Sequence, residues 1–238
     1  MSGRDPMLAS LVDAASDPYR AAGRFAWHFA RGKLAGDPAF AAILRRGLLK
    51  DSARILDLGC GQGLLAAWLL AAQAARLAGR WPHDWPPPPA PVELLGVEIN
   101  PREVARARAA LGERARIVEG DIRHVDYGSV DAIVILDVLH FTDHASQEAI
   151  LQRARAALSS RGVLLLRVGD AEGGVGFALS KLVDRIVALI RRRSLPRLTC
   201  RPAREWRALL ARLGFLTEAL PMSQGTPFAN VLLVAKLA

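Results

Sequence analysis

Short apolar runs alternate with helical stretches across residues 51–170, and this alternation limits the fold more than any other feature of the sequence. Each predicted helix lies between two runs that have the length and composition of a buried strand. Such βαβ units build a parallel sheet whose two faces are both covered. The predicted strands are Ala53–Leu58, Val92–Ile99, Ala115–Val118, Val130–Asp137 and Gly162–Val168, and the predicted helices are Leu64–Leu77, Arg102–Leu111 and Ala145–Leu158.

The end of the chain predicts one more helix, Ala203–Leu213, and two more strands, Phe215–Leu220 and Val231–Leu237. The connection Pro221–Pro227 is too short for a crossover helix, so we expect a hairpin whose last strand is antiparallel. The predicted fold class is therefore α/β: a doubly wound, seven-stranded and mostly parallel sheet with an antiparallel last strand, plus helical cap elements.

Four segments follow from these patterns: an N-terminal helical cap over 1–50, a core over 51–170, an inserted lid helix within 171–201 and a C-terminal completion of the sheet over 202–238. The insert begins with glycines and continues as one apolar helical stripe. Gly79–Pro91 contains four consecutive prolines and predicts an extended loop, with a proline motif for a partner as the alternative.

Positive charge is concentrated in two segments. The chain has a formal net charge of +9; residues 1–50 hold 8 Lys or Arg against 4 Asp or Glu, and residues 171–214 hold 10 against 3. Such surfaces attract nucleic acid, an anionic membrane or an acidic protein. Arginine enrichment on solvated helix faces is the alternative that needs no partner.

Cysteine and hydropathy patterns exclude several classes of protein. Cys60 and Cys200 are the two cysteines of the sequence, which excludes a disulfide scaffold and indicates a reducing, cytoplasmic location. No apolar run reaches the roughly 18 residues that span a bilayer, and the N-terminus lacks the order of a signal peptide. The five histidines show no metal-ligand spacing, so we expect no metal site.

A glycine loop follows the first predicted strand. Gly59, Gly61 and Gly63 occupy alternate positions, and a predicted helix begins at Leu64. Glycine permits positive φ and close approach of a ligand, and a loop at this place forms the ligand crevice of doubly wound sheets. Leu64 stands where the dinucleotide fingerprint needs glycine, and no Gly-Lys-Ser/Thr of a P-loop is present. Asp57, before the first glycine, suits a cationic group better than a pyrophosphate.

Three further landmarks follow the Asp-x-Gly-x-Gly-x-Gly pattern of Asp57–Gly63. Glu98 ends the second predicted strand, Glu119–Ile122 contains Gly-Asp after the third, and Leu136–Phe141 ends the fourth. In these residues the chain resembles the class I S-adenosylmethionine (SAM)-dependent methyltransferases. The resemblance covers about residues 50–170 by motif and residues 200–238 by the order of elements.

The resemblance implies SAM as cofactor, with its amino-acid end beside the glycine loop. It assigns the two ribose hydroxyls to Glu98, because a carboxylate accepts two hydrogen bonds from a diol. It assigns the adenine amino group to Asp121 and an adenine ring nitrogen to the backbone N–H of Ile122. The implied cofactor site consists of Asp57, Gly59, Cys60, Gly61, Gly63, Glu98, Ile99, Asp121, Ile122, Asp137 and Val138.

Acceptor-side residues follow from the same resemblance. His140 is a candidate catalytic base, since an imidazole titrates near neutral pH; lining the site and a structural role are the alternatives. Phe141 beside it is a candidate substrate contact. Tyr19 and Arg20 are candidates for binding substrate or the cofactor carboxylate, since arginine binds a carboxylate with two parallel bonds. Packing of a helix on the core is the alternative for the N-terminal aromatics.

The predicted reaction is methyl transfer from SAM by direct SN2 displacement to a small or acyl-carrier-bound, hydrophobic acceptor. The rivals are an RNA or DNA methyltransferase that uses the basic surface, and a membrane-peripheral protein with its 175–193 helix on lipid. The sequence lacks Asn/Asp-Pro-Pro-Tyr/Phe, which argues against methylation of a base amine or glutamine amide. It also lacks Tyr-x-x-x-Lys, which argues against a short-chain dehydrogenase.

Overall fold

The computed structural model describes residues 5–169, 199–222 and 230–238 of the chain. Within these ranges the helices are α1 Pro6–Ser16, α2 Arg24–Gly36, α3 Pro38–Arg45, α4 Leu64–Leu77, α5 Pro101–Leu111, α6 His144–Ala157 and α7 Ala203–Arg212. The strands are β1 Arg54–Leu58, β2 Glu93–Glu98, β3 Arg116–Glu119, β4 Val130–Leu136, β5 Leu158–Gly169, β6 Phe215–Pro221 and β7 Asn230–Leu237.

The seven strands form one sheet in the order β3-β2-β1-β4-β5-β7-β6. Strands β1 to β5 run parallel to one another, while β7 runs antiparallel to both β5 and β6. The predicted fold class is confirmed. One boundary differs: β5 begins at Leu158, directly after α6, rather than at the predicted Gly162, and its pairing with β4 shifts register between Val130 and Ala132.

Both faces of the sheet are buried, as a parallel sheet requires. In β4, Ala132 and Val134 pack into the core that also contains residues of α1 to α5. The alternate residues Ile133 and Ile135 pack into the opposite core, against residues of α6 and α7. All four side chains are fully buried, because successive residues of a strand point to opposite faces.

Three helices begin with the same two-residue signature. Asp5, Asp37 and Asn100 each precede a proline at the first helical position, and each side chain accepts a hydrogen bond from a backbone N–H of the first turn. The cap satisfies an otherwise unpaired donor, and proline needs no donor there. The sequence thus fixes the start of α1, α3 and α5 locally.

The proline-rich segment Gly79–Pro91 contains neither helix nor strand, which confirms the predicted loop. Its two tryptophans, Trp81 and Trp85, pack edge to face with ring centroids 5.5 Å apart, and Trp81 Nε1 donates to the Pro86 carbonyl at 3.0 Å. The predicted helical stripe of the insert, Val175–Ile190, lies outside the described residues. In the parts of the chain that are described, no helix is long and apolar enough to cross a membrane.

Candidate functional site

A cavity of about 420 Å³ opens at the carboxyl edge of β1, β2 and β4. Its volume is in the range of small-molecule sites, and its position is where open α/β sheets bind ligands. Helices α2 and α3 complete its wall. The lining residues are Phe29, Lys33, Phe40, Asp57, Gly59, Cys60, Gly61, Gln62, Leu64, Leu65, Glu98, Ile99, Asn100, Glu103, Asp121, Ile122, Arg123, Leu136, Asp137, Val138, Phe141, Thr142 and Arg167.

The loop between β1 and α4 requires its glycines. Gly59 has φ +77°, and a Cβ there would lie 2.4 Å from Val138 Cγ2. Gly63 has φ +78°, and a Cβ there would lie 2.6 Å from Leu111 Cδ1. L side chains rarely adopt this left-handed conformation. Gly59 and Gly61 line the cavity, so bare backbone forms this part of its wall.

Hydrogen bonds from two sides hold the glycine loop. The Val97 carbonyl accepts from the backbone N–H groups of Gly59 at 2.8 Å and Cys60 at 3.0 Å. The fully buried Tyr19 hydroxyl donates to the Gln62 carbonyl at 2.8 Å. Desolvation by burial raises the pKa of Tyr19. The turn between α1 and α2 therefore fixes the loop from the N-terminal side.

Two carboxylates, Asp57 and Glu98, line the cavity beside this loop. Glu98 accepts from the backbone N–H of Gly61 at 3.0 Å on Oε2 and of Asn100 at 2.8 Å on Oε1, which leaves further lone pairs on both oxygens. No donor among the described residues contacts the Asp57 carboxylate. Burial, and then the charge of Glu98, raise the pKa of Asp57 to about 7.

Asp121 lies at the cavity rim and is already paired. Arg123 Nε lies 3.0 Å from Asp121 Oδ2, Arg123 Nη2 lies 2.6 Å from the same oxygen, and the Arg123 backbone N–H donates to Oδ1 at 2.9 Å. The side-chain hydrogen bond from Arg123 is the main reason that the pKa of Asp121 is lowered. Asp121 thus stays ionised and retains acceptor capacity.

A buried ionic cluster lies at the opposite end of the cavity. Arg167 of β5, 2% exposed, pairs with both Asp37 and Asp137, and Lys33 Nζ lies 2.9 Å from Asp37 Oδ2 and 3.8 Å from Asp137 Oδ2. Burial by itself raises the pKa of Asp137, but the charges of Arg167 and Lys33 outweigh it and the pKa is lowered. The same balance holds the pKa of Asp37 at about 2. Two acids and two bases make the cluster neutral.

Gln147 connects the segment after β4 to the chain beyond residue 198. Its side-chain nitrogen donates to the carbonyls of Leu139 at 3.1 Å, Thr142 at 3.2 Å and Thr199 at 2.9 Å. The Thr199 backbone N–H also donates to the His140 carbonyl at 2.9 Å. This fully buried glutamine therefore fixes the cavity-lining turn from outside the cavity.

The order of the strands and the position of the glycine loop are those of a methyltransferase domain, and residues 56–164 match the family model described as a methyltransferase domain. Residues 56–164 are thus a methyltransferase domain, and it has the class I fold. This family uses SAM as methyl donor, so the resemblance seen in the sequence is confirmed for the family and its cofactor class.

A curated relative matches half of this chain in sequence. Carboxy-S-adenosyl-L-methionine synthase of Chromohalobacter salexigens is 42% identical over 123 residues, which are 50% of this chain and 40% of that protein. This chain thus spans about two fifths of the length of the curated relatives that it matches.

Two solved structures share the fold at low sequence identity. An O-methyltransferase family protein from Burkholderia thailandensis has a TM-score of 0.62 and 16% identity, over 92% of this chain and 62% of that one. Magnesium protoporphyrin IX methyltransferase from Synechocystis, solved with bound S-adenosylhomocysteine (SAH), has a TM-score of 0.58 and 18% identity, over 98% of this chain and all of that one.

The methyltransferase domain brings most of the sequence-predicted residues to the one cavity, and four residues lie elsewhere. Gly63 lines a smaller pocket behind the loop. Tyr19 holds the loop from within the core. Arg20 is exposed, pairs with Asp17 at 2.8 Å and stacks over Trp27, so neither Tyr19 nor Arg20 reaches the cavity. The His140 ring packs against Phe141 at a tilt of 50°, with ring centroids 4.1 Å apart, and does not line the cavity; its catalytic role stays a prediction.

Other cavity residues were not among the predictions. Lys33 and Arg167 supply its positive charge at the β4–β5 end, and Phe29 and Phe40 supply aromatic wall from α2 and α3. One signal was present in the sequence: Arg167 is a single charge within the apolar run Val163–Val168, where an unpaired arginine would be costly.

Proposed function

We propose that this chain is a SAM-dependent methyltransferase that transfers the methyl group to a small, apolar acceptor, either free or attached to an acyl carrier protein. The Asp57 carboxylate is the observation that carries the proposal. It is partly buried, lacks a donor among the described residues and lies beside both Glu98 and the bare backbone of the glycine loop. A buried carboxylate of this kind favours a cationic ligand.

The residues present fit SAM. Asp57 would face its positively charged end, and the free lone pairs of Glu98 suit a ribose diol. Asp121 would accept from the adenine amino group, while Ile99 and Ile122 offer apolar surface to the ring. Asp137 is the predicted cofactor ligand that belongs to the ionic cluster, where Arg167 contacts both of its carboxylate oxygens and Lys33 Nζ lies 3.8 Å from Oδ2.

When bound, SAM supplies an activated methyl group whose sulfur–carbon bond breaks as the acceptor–carbon bond forms, leaving SAH. The protein then needs only to bind and align the acceptor and to exclude water. Phe29, Phe40, Leu136 and Phe141 give the far wall its apolar character, which supports a hydrophobic acceptor.

Glu98→Gln tests the cofactor assignment. We expect titration calorimetry to show SAM binding weakened by about tenfold or more, since a charge-assisted hydrogen bond to the ribose is lost. Glu93→Gln, at the exposed start of the same strand, is the matched control and should leave the affinity unchanged. Equal affinities for the two variants, or tighter binding of NAD than of SAM to the wild type, would contradict the proposal.

A second candidate function comes from the 42% identity to a carboxy-SAM synthase. In that reading the cofactor itself gains a carboxylate, and the Lys33 ammonium is a cation at the cavity wall with side-chain surface still exposed, 38%. Mass spectrometry of the ligand extracted from the purified protein separates the two. Carboxylated SAM favours this second function, whereas SAM or SAH alone favours the first.

Contacts with a carrier protein, nucleic acid or lipid stay predictions, as do the cytoplasmic location and the division into cap, core, lid and completion. Most of the second basic segment, on which the contacts with these partners depend, lies outside the described residues, which exclude 171–198.

A further inference from the structure

The backbone of Asp137 turns in an unusual way at the end of β4. Its φ is +59°, and among the described residues it is the one non-glycine residue with positive φ. Aspartate tolerates this left-handed conformation better than most residues, but it is still unfavourable for any L side chain. Some other contact must therefore hold the turn.

Arg167 supplies that contact from the neighbouring strand. Its Nε donates to Asp137 Oδ1 at 2.8 Å and its Nη2 pairs with Oδ2, a two-point contact that fixes the carboxylate in both position and plane. Leu136 and Arg167 are register partners, so the guanidinium lies beside the turn. Its second partner is Asp37, the cap of α3, which anchors it from the opposite side.

The turn at Asp137 determines which side chain packs against the glycine loop. Val138, the next residue, packs so closely on Gly59 that not even a Cβ would fit between them. The turn then closes with hydrogen bonds from the Phe141 N–H to the Val138 carbonyl and from the Thr142 N–H to the Leu139 carbonyl, each 3.0 Å. A different backbone conformation at Asp137 would displace Val138 and the lining residues that follow.

We propose that Arg167 is a positioning residue: it clamps Asp137 in the left-handed turn and thereby sets Val138 against the glycine loop of the cavity. The inference rests on the proposed function only in taking SAH as the ligand that reports the geometry of the cavity. Arg167 itself contacts neither acceptor nor cofactor in this role.

Variants of Arg167 and Asp137 test whether Arg167 supports the turn or only forms a buried ion pair. Arg167→Met should weaken SAH binding by about tenfold, as expected when a strained turn loses its support. Arg161→Met, on the exposed start of the same strand, should leave it unchanged. Removing Asp137 as well deletes one charge of each sign and leaves Lys33 paired with Asp37, so the cluster stays neutral.

In that background glycine adopts the left-handed turn without support, whereas alanine does not. Arg167→Met/Asp137→Gly should therefore recover most of the lost affinity, and Arg167→Met/Asp137→Ala should not. A merely structural ion pair would leave the two double variants alike. Equal SAH affinities for the glycine and alanine variants, at matched melting temperatures, would overturn the proposal.

Hydrogen exchange of the ligand-free protein tests the clamp without reference to any ligand. We expect the Phe141 and Thr142 amides to exchange faster in Arg167→Met than in wild type or Arg161→Met. If the Phe141 and Thr142 amides exchange as slowly in Arg167→Met as in the wild type, the proposed clamp is overturned. A wild type that fails to bind SAH while showing the exchange difference counts against the proposed function and supports the clamp.

Discussion

Asp57 and Glu98 line the same cavity from neighbouring parallel strands, and only Glu98 accepts hydrogen bonds from the described residues around it. Burial and the Glu98 charge raise the pKa of Asp57 to about 7, so the ligand-free site holds an Asp57 carboxyl that is about half protonated at neutral pH. A cationic ligand must convert it to the charged form.

Binding of SAM is accordingly expected to depend on pH through Asp57. The affinity of the wild type should rise between about pH 6 and pH 8 as the carboxylate ionises, and binding near pH 7 should release a fraction of a proton. Calorimetry in buffers of different ionisation enthalpy measures that release. Asp57→Asn should bind more weakly and lose both effects; a pH dependence retained by this variant would show that another group is responsible.

Folding stability should respond to Asp57 in the opposite direction. A carboxyl whose folded pKa lies above its unfolded value binds more protons when folded, so the free energy of unfolding falls as pH rises from about 4 to about 7. Asp57→Asn should therefore stabilise the ligand-free protein by about 2 kcal/mol at pH 8 and by little at pH 4. Urea unfolding at both pH values checks this, and an equal effect at the two would contradict it.

Gly59→Ala is expected to damage both folding and binding. The alanine must adopt φ +77°, and its methyl group would clash with Val138. Together these effects should lower the free energy of unfolding by about 3 kcal/mol or more. Gly79→Ala also places an alanine at positive φ, +68°, but with open space around its Cβ, so it should cost only about 1 kcal/mol. Chemical denaturation compares the two, and similar losses would show that contact with Val138 is unimportant.

Asp121→Ala should weaken SAM binding about fivefold, the value of one hydrogen bond to the adenine amino group. Its control is Asp126→Ala, an exposed aspartate on the same segment that does not line the cavity and accepts only from the Gly128 N–H among the described donors. Calorimetry with SAM measures both variants. An inosine-type analogue of SAM lacks the adenine amino group. If Asp121→Ala weakens binding of that analogue by the same factor, Asp121 does not contact the amino group.

Much of the fold was predictable because its signals are local. Apolar runs of strand length and apolar residues at helical spacing gave the elements of the core and of the C-terminal part to within a few residues, and the short connection after Leu220 gave the antiparallel last strand. The glycine loop and Glu98 were predictable as well, since parallel strands end at one edge of the sheet and residues at their ends meet there.

The remaining part of the site depends on contacts between distant residues. The pairing of Arg167 with Asp137 and Asp37 follows from the register of β4 and β5 and the placement of α3, neither of which leaves a pattern in the sequence. The sequence did not predict which way the side chains of Tyr19 and His140 point, for a related reason. Each lies in or beside a short turn, where spacing does not determine which way a side chain points.

The Gln147 hydrogen bonds have a consequence for how such a domain can be altered. The chain leaves β5 at Gly169, which is paired to Asn230, and is held again at Thr199 by Gln147 and His140. Both ends are thus held by hydrogen bonds to the sheet or to the turn that follows β4. Loss of the Gln147 amide would therefore release Thr199 and the turn after β4 together, while the Gly169 end stays paired with Asn230.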